Sequence, residues 1–398
     1  LRHHRWWTPP VPEAGHDGDL GRWARSVHGA LQVAVRQRLD ADVPVAALLS
    51  GGLDSSGVAA IATRRGGVPL TTFSASVDHP GFDEAPAARE VATHLGSHHI
   101  EVPVPIGSMG ALLQEVGRHM DEPLADSSLL PTWALMRAVK DAGFRCVLSG
   151  DGADESFGGY PTHLAHRLAG GLSPLRGLVA RAAARLPTSS AGVSRDYMAR
   201  RFALGLGLPL PRRHQVWMGA WTDTELQGAS DAVWQRVDEH GAASAQTSVA
   251  SQAMYLDQRL YLTGGVLVKV DRASMAHGVE VRSPFLDHRM VELAAQIGDG
   301  FKIRGRQDKR VLRDALAQEL PAAVCARPKK GFGGPVGPWL RGDGKSVLNG
   351  LEDVIPELID PATVRRVRDE HLDGTADHRR RLWTLVMLRA WRESRWGV

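Results

Sequence analysis

The chain has 398 residues, 43% of them hydrophobic, and this length accommodates two domains with sizeable cores. Its 48 basic and 44 acidic side chains leave a net charge of +4, which is too small and too dispersed to indicate nucleic-acid binding. No apolar run reaches the ~18 residues that a membrane helix needs. The two cysteines, Cys146 and Cys325, match no disulfide framework or metal spacing, so we expect a reducing, cytoplasmic location.

The opening sequence LRHHRWWTPPVPEAG passes from aromatic residues into a proline-rich stretch without a helix cap. This composition is typical of a linker, and we predict that residues 1–19 lead from a preceding domain of a longer protein. A helix is predicted from Leu20 onward, because one helical face collects the apolar residues Trp23, Val27, Ala30, Ala34 and Leu39.

A serine- and glycine-rich turn follows the first predicted strand. Residues 43–49 predict a strand and residues 56–65 a helix, so SGGLDSS (50–56) lies at a helix N-terminus. Such a turn suits phosphate, since it offers hydroxyl and N–H donors from Ser50, Gly51, Gly52, Ser55 and Ser56.

The same turn lacks the lysine of a GxxxxGK[ST] loop but carries Asp54, a carboxylate suited to Mg2+. The alternative is an ordinary strand-to-helix turn capped by serine.

Strands and helices then alternate along the chain. Strands are predicted at 69–77, 98–104 and 144–150, and helices at 83–96, 106–119 and 127–143. This order predicts an α/β fold, a parallel twisted sheet with helices on both faces and ligands beyond the carboxyl ends of its strands. We place this nucleotide-binding core at 20–160 and assign 161–398 to a mostly helical remainder that completes the active site.

The second serine-glycine loop, LSGDGADESFGGY (148–160), also follows a predicted strand. Its carboxylates Asp151, Asp154 and Glu155 would repel one another unless a cation were shared, so at least one is expected to face Mg2+ bound to phosphate. The alternative is a solvated acidic turn.

Two charged segments occur in the C-terminal half. Residues 266–298 carry charges that form either a structural ionic network or a substrate face: Lys269, Asp271, Arg272, Glu280, Arg282 and Asp287. In CARPKKGFGGPVGPWL (325–340), Lys329 and Lys330 precede a glycine-rich loop. A lysine in such a loop can stabilise negative charge in a cleft, although an exposed basic pair is the alternative.

Taken in order, six segments resemble the synthetase domain of the glutamine-dependent asparagine synthetase family, within the PP-loop group of ATP pyrophosphatases. They are SGGLDSS (50–56), FDEAPAAREVATHLG (82–96), DEPLADSS (121–128), SGDGADESFGGY (149–160), VKVDRASMAHGVEVRSPFLDH (268–288) and RPKKGFG (327–333). The resemblance covers nearly the whole chain, and a series of motifs in this order is far more specific than SGGxDS alone.

The resemblance implies an ATP-dependent ligase. A carboxylate attacks the α-phosphorus of ATP, pyrophosphate leaves, and ammonia captures the acyl-adenylate. By the same resemblance Ser50, Gly51, Gly52 and Ser55 hold the pyrophosphate, Asp54 and Asp154 hold Mg2+, and Lys329 stabilises developing negative charge. Nucleotide contacts, largely through backbone, are implied for Leu49, Ala75, Ser149 and Gly150.

The acceptor carboxylate is less defined than the chemistry. The family name implies aspartate, but Asp151 stands where the best-known asparagine synthetases carry glutamate beside the adenylate. Relatives that close β-lactam rings, cyclise peptides or amidate sugar acids therefore remain alternatives. Asp151 is also the candidate general base that is nearest by position.

The resemblance also bears on partners. The family's glutaminase half, with its N-terminal cysteine, is not part of this sequence, so we expect that domain to be the partner that supplies ammonia. A homodimer is left open. A nucleotide-binding homologue without turnover is the alternative of another class, but the presence of Asp54, Asp154 and Lys329 argues against it.

Overall fold

A five-stranded parallel sheet organises the computed structural model, which describes residues 3–12, 18–66, 69–187, 194–227 and 231–397. Its strands are Val45–Leu48 (β1), Thr71–Ser76 (β2), His98–Pro103 (β3), Cys146–Leu148 (β4) and Glu280–Arg282 (β5). Their order across the sheet is β3-β2-β1-β4-β5. The predicted α/β fold with a parallel sheet is thereby confirmed. Residues 1–2 and 13–17 of the predicted linker lie outside the described residues.

Helices cover most of the remaining chain. The first ten are Leu20–Leu39 (α1), Leu53–Gly66 (α2), Ala85–Leu95 (α3), Met109–His119 (α4), Leu129–Asp141 (α5), Ala153–Phe157 (α6), Pro161–Leu172 (α7), Arg176–Ala184 (α8), Arg195–Gly205 (α9) and Leu210–Met218 (α10).

The later ones are Asp231–Ala243 (α11), Val249–Leu256 (α12), Leu267–Met275 (α13), His288–Gln296 (α14), Asp299–Lys302 (α15), Arg310–Leu316 (α16), Ala322–Ala326 (α17), Val336–Arg341 (α18), Pro361–Leu372 (α19) and Arg379–Trp396 (α20). A π-helix, Asp257–Val266, joins α12 to α13. Within the described ranges, no helix combines the length and the apolar content needed to cross a bilayer.

Each face of the sheet carries its own apolar core, because successive strand side chains point to opposite faces. Ala46 and Val147 belong to one core, with α4, α5 and α20, whereas Ala47 and Leu148 belong to the other, with α1, α2 and α16. Both cores thus combine helices from the two halves of the chain. The C-terminal half is packed directly against the sheet.

The edge strand β5 was not predicted from the sequence. It pairs with β4 in the register Cys146↔Glu280 and Leu148↔Arg282. Three residues of which two are charged carry no alternating apolar signal. Main-chain pairing continues past the strand, where the N–H of Ser149 donates to the carbonyl of Arg282.

The two serine-glycine loops lie side by side at the carboxyl edge of the sheet, because β1 and β4 are parallel neighbours in the register Ala47↔Leu148. A Cβ atom at Gly150 would lie only 2.8 Å from the backbone nitrogen of Ser55. Gly51 has a φ of +74°, and a Cβ there would overlap the Ala87 backbone in the first turn of α3. Glycine at these positions lets the two loops and α3 pack without intervening side chains.

We therefore predict that Gly51→Ala destabilises the fold more than Gly96→Ala. Both residues have positive φ, but a Cβ at Gly96 meets nothing within 4 Å. Gly96→Ala should lower the free energy of unfolding by about 1 kcal/mol from backbone strain alone. Gly51→Ala should cost roughly 1–3 kcal/mol more, because the Cβ must displace α3. Urea unfolding measures both, and equal losses would contradict this account of loop packing.

Candidate active site

A cleft with a mixed apolar and polar lining opens at the carboxyl ends of β1, β2 and β4. We call it the sheet-end cleft; it has about 800 Å³ of open space. Its lining residues are Leu48, Leu49, Ser50, Asp54, Ser55, Phe73, Ser74, Ala75, Glu84, Leu135, Ser149, Gly150, Asp151, Gly152, Asp154, Glu155, Tyr160, Val266 and Phe332. Apolar side chains at the strand ends and acidic groups from the second loop thus face the same space.

A second cleft adjoins the first at the N-terminus of α2. We call it the basic cleft; it has about 540 Å³ of open space. Its lining residues are Ser50, Gly51, Gly52, Leu53, Asp83, Glu84, Ala87, Asp308, Lys309, Arg313, Arg327, Pro328, Lys329 and Lys330. The backbone N–H groups at a helix N-terminus and several cations converge here, an arrangement suited to polyanions such as phosphate chains.

Four charged side chains lie where the two clefts meet. The ammonium of Lys309 is 2.6 Å from Oδ2 of Asp54 and 2.5 Å from Oδ1 of Asp154. Lys329 Nζ lies 2.6 Å from the other oxygen of Asp154. This four-charge cluster joins the first turn of α2, the short helix α6 and two loops of the C-terminal half.

Charge and burial act differently on the two carboxyls. Burial raises the pKa of Asp54, although Lys309 opposes this rise. Burial acts in the same direction on Asp154, but Lys309 and Lys329 together outweigh it and hold the pKa of that carboxyl below its ordinary value. Burial in turn disfavours the ammonium of Lys329, yet the charge of Asp154 keeps its pKa above the ordinary value. Asp154 and Lys329 therefore remain ionised at neutral pH.

Lys309 is the member of the cluster that the sequence analysis missed. It is the only non-glycine residue with positive φ (+46°) among the described residues, and it directly precedes α16. Its side chain is 3% exposed. A lysine between a turn and a helix has no distinctive sequence pattern, and its role follows only from the packing of α16 against α1 and α6.

Hydroxyl groups organise the first loop through internal hydrogen bonds. The Ser55 hydroxyl accepts the N–H of Ser50 at 3.1 Å and lies 2.9 Å from the Ser50 hydroxyl. The main chain of Gly52 donates to Ser50 Oγ at 3.3 Å. These bonds hold the backbone of the loop in one conformation at the edge of the basic cleft.

The second loop is held in a similar way. Ser149 Oγ donates to Asp151 Oδ2 at 2.8 Å and lies 2.7 Å from the hydroxyl of Ser283, just after β5. The carboxylate of Asp151 is thus fixed at the wall of the sheet-end cleft.

Most of the predicted site residues come together in these two clefts. Leu49, Asp54, Ser55, Ala75, Ser149, Gly150, Asp151 and Asp154 line the sheet-end cleft, Gly51, Gly52 and Lys329 line the basic cleft, and Ser50 lines both. Ser56 lies deeper, is fully buried and lines neither cleft. Successive residues of a helix are rotated by about 100° around its axis, so the side chain of Ser56 points in a different direction from that of Ser55.

The charged residues of 266–298 line neither cleft. Lys269 pairs with Asp126 at 3.3 Å, and Arg272 pairs with Asp121 at 2.5 Å. Asp287 caps α14 and pairs with Arg38 of α1 at 3.1 Å. Of the two alternatives for this segment, the contacts match a structural network.

Glu155 is a buried residue in the lining of the sheet-end cleft. Its Oε1 accepts the Tyr160 hydroxyl at 2.6 Å, and the side chain of Gln258 in the π-helix donates to its carbonyl at 3.3 Å. Burial, with the charge of Asp154 adding to it, raises the pKa of Glu155 to about 8. This carboxyl is therefore largely protonated at neutral pH.

Comparison with known proteins agrees with this architecture. A model of the asparagine synthase family matches residues 26–393. The chain belongs to the asparagine synthase family. The resemblance drawn from the six motifs is confirmed.

The relatives differ in name. A Mycobacterium tuberculosis protein, named for glutamine-hydrolysing asparagine synthetase, is 34% identical over 94% of this chain and 58% of its own length. Asparagine synthetase (glutamine-hydrolysing) 1 of Bacillus subtilis is 28% identical over 92% of this chain and 58% of its own. Amidase chry2 of Gibberella zeae is 27% identical over 88% of this chain and 57% of its own length. The chain thus spans less than two thirds of the length of these relatives.

The four-charge cluster predicts a large stability effect for Lys309. Replacing it in Lys309→Met leaves Asp54 without its cation and should lower the free energy of unfolding by about 3–5 kcal/mol. Lys345→Met, at an exposed position, is the matched control and should change the free energy of unfolding by less than about 0.5 kcal/mol. Urea unfolding measures both, and similar small effects would show that the cluster does not stabilise the fold.

The raised pKa of Glu155 predicts how the free energy of unfolding depends on pH. Its pKa rises from an ordinary 4.5 to about 8 on folding, so between these values the folded chain binds more protons than the unfolded chain. The contribution of Glu155 to stability is complete below pH 4.5 and is lost as the pH rises toward 8. Glu155→Gln should remove this decline relative to the wild type, whereas Glu122→Gln, at an exposed position, should retain it. An unchanged decline in Glu155→Gln would contradict the assignment.

Proposed function

We propose that the chain is an ATP-dependent, amide-forming ligase that activates a carboxylate as its acyl-adenylate and transfers the acyl group to ammonia. The four-charge cluster between the two clefts carries this proposal, because it joins a site suited to polyanions to one suited to a nucleoside and an acceptor. Membership of the asparagine synthase family supports the same chemistry.

The first step is attack of the acceptor carboxylate on the α-phosphorus, with release of pyrophosphate. The basic cleft would hold the leaving pyrophosphate through the N–H groups of Gly51 and Gly52 and the hydroxyls of Ser50 and Ser55. Lys329 would stabilise the charge that develops on the phosphates. Leu49, Ala75, Ser149 and Gly150, at the strand ends, would contact the nucleotide.

Mg2+ fits the carboxylates of Asp54 and Asp154. Oδ1 of Asp54 is buried and has no hydrogen-bond partner among the described residues. Among those residues there is no set of three or more His, Cys, Asp or Glu side chains that could hold a metal. Two carboxylates suffice, because Mg2+ completes its shell with water and substrate phosphates. When bound, the ion would neutralise phosphate charge and favour the departure of pyrophosphate.

In the second step ammonia attacks the acyl carbon and AMP leaves. We propose that the acceptor is aspartate and the product asparagine, because two of the relatives are named asparagine synthetase. Those names are not uniform, since one relative is an amidase. The same chemistry on another carboxylate is therefore the second candidate, and Asp151 at the cleft wall is the residue to examine for selectivity. In the intact protein a glutaminase domain would supply the ammonia.

The metal assignment predicts that Asp54→Asn and Asp154→Asn each lower acceptor-dependent pyrophosphate release by at least about 10²-fold, because each removes a hard anionic ligand. Asp141→Asn, at an exposed position at the end of α5, should match the wild type. The assay is repeated over a range of Mg2+ concentrations, with folding checked by circular dichroism. Folded variants that release pyrophosphate at the wild-type rate would contradict the assignment.

The function is tested by release of AMP and pyrophosphate from Mg-ATP and ammonia in the presence of single carboxylates. L-aspartate is tested first, followed by other amino acids, peptides, β-amino acids and sugar acids. We expect one carboxylate to stimulate release and to yield its amide. Stimulation by aspartate supports asparagine formation, and stimulation by another carboxylate supports the second candidate. ATP binding without AMP formation across the panel would instead identify a binding module.

A further inference from the structure

Glu84 lies in the site, but the two-step reaction described above gives its side chain no role. It is the residue before α3 and, with Ser50, it lines both the sheet-end cleft and the basic cleft. In the proposed function the adenylated carboxylate lies at this boundary, because the α-phosphorus joins the nucleoside to the pyrophosphate. Glu84 thus borders the place where the acyl carbon reacts.

The carboxyl of Glu84 is not used to hold the fold. It precedes α3 but makes no capping bond. Asp83 does this instead, since its Oδ1 accepts the N–H groups of Val77 and Ala85, both at 3.2 Å. Oε2 of Glu84 is buried and has no hydrogen-bond partner among the described residues. A buried, unpaired carboxyl oxygen costs stability, so its retention in a cleft points to a ligand or to chemistry.

The neighbouring cations are engaged elsewhere. Lys329 contacts Asp154, and the ammonium of Lys330 donates to the carbonyl of Asp83 at 2.8 Å. Burial raises the pKa of Glu84 to about 7, although Lys329 and Lys330 oppose the rise. Such a carboxyl is a stronger base than an exposed glutamate and exists in both protonation states at neutral pH.

We propose that Glu84 is the base that accepts the proton released when ammonia attacks the acyl-adenylate. The nitrogen forms a bond to the acyl carbon, and the bond from that carbon to the adenylate oxygen breaks. AMP leaves with the electron pair, and one N–H proton moves to the carboxylate of Glu84. The proton is then released to solvent through the cleft. This assignment rests on the proposed function and adds a catalytic residue to its second step.

The test separates the two steps in Glu84→Gln, using the whole chain. Exchange of labelled pyrophosphate into ATP measures adenylation, and amide formation from ammonia measures the second step. The acceptor is L-aspartate, or whichever carboxylate stimulates pyrophosphate release in the panel. We expect exchange within about threefold of the wild type, and amide formation lower by at least about 10²-fold. Glu101→Gln, which alters an ion pair with Arg89 and lines neither cleft, is the control and should leave both unchanged.

Hydroxylamine, used in place of ammonia, distinguishes a base from a residue with a purely structural role. A structural defect would lower the rates with both nucleophiles equally. The hydroxylamine adduct is a stronger acid than the ammonia adduct and can lose its proton to water, so the loss in Glu84→Gln should be smaller with this nucleophile. Equal losses of exchange and amide formation would overturn the proposal and assign Glu84 to phosphate binding. Unchanged amide formation would overturn it as well. If the wild-type chain shows no exchange of pyrophosphate into ATP with any carboxylate, the proposed function is overturned. The role of Glu84 as a base is then overturned as well.

Discussion

The structure depends on the pairing of two buried carboxyl groups, from adjacent loops, with two lysines. Asp54 and Asp154 contact the same ammonium, that of Lys309, and Asp154 also contacts Lys329. Removing such a pair from water costs several kcal/mol per ion, and only close opposite charges offset that cost. Both lysines come from the C-terminal half. The N-terminal half therefore does not contain a complete site without the C-terminal half.

Parallel strand order explains why these loops meet. Adjacent parallel strands bring their carboxyl ends to the same edge, and β1 and β4 are neighbours. Glycine then permits contacts that a side chain would block, as at Gly51 against α3 and at Gly150 against the start of α2. The resulting clefts combine a helix N-terminus, cations and carboxylates within a small volume. This combination suits a reaction in which a polyphosphate is cleaved beside an acceptor.

The sequence was sufficient to predict four of the five strands, the helices between them and both serine-glycine loops, because these rest on local periodicity and turn composition. Three members of the four-charge cluster, Asp54, Asp154 and Lys329, were also named from the sequence, because they lie in short motifs. Strand β5 escaped prediction because three residues with two charges have no apolar alternation. Lys309 and Glu84 escaped because their importance arises from the packing of distant segments. A lysine beside a helix and a glutamate before one are common in any sequence.

Asp151 is the candidate base that is nearest by position in the sequence, and Glu84 is the base that we propose from the structure. Asp151 is engaged by Ser149 at the cleft wall, whereas an oxygen of Glu84 is buried without a partner among the described residues. Glu155, the third carboxyl of the second loop, accepts the Tyr160 hydroxyl through one oxygen, and its other oxygen is buried without a partner among the described residues. The acidic groups of the site thus differ in environment and, in our account, in role.

The central claim is that the acceptor carboxylate attacks the α-phosphorus of ATP. The most direct measurement uses an acceptor whose carboxylate carries a heavy oxygen isotope, with Mg-ATP and ammonia, and locates the label by mass spectrometry. Our account predicts one labelled oxygen in AMP and unlabelled pyrophosphate. Label in inorganic phosphate, together with ADP as the nucleotide product, would show attack on the γ-phosphorus and would contradict it.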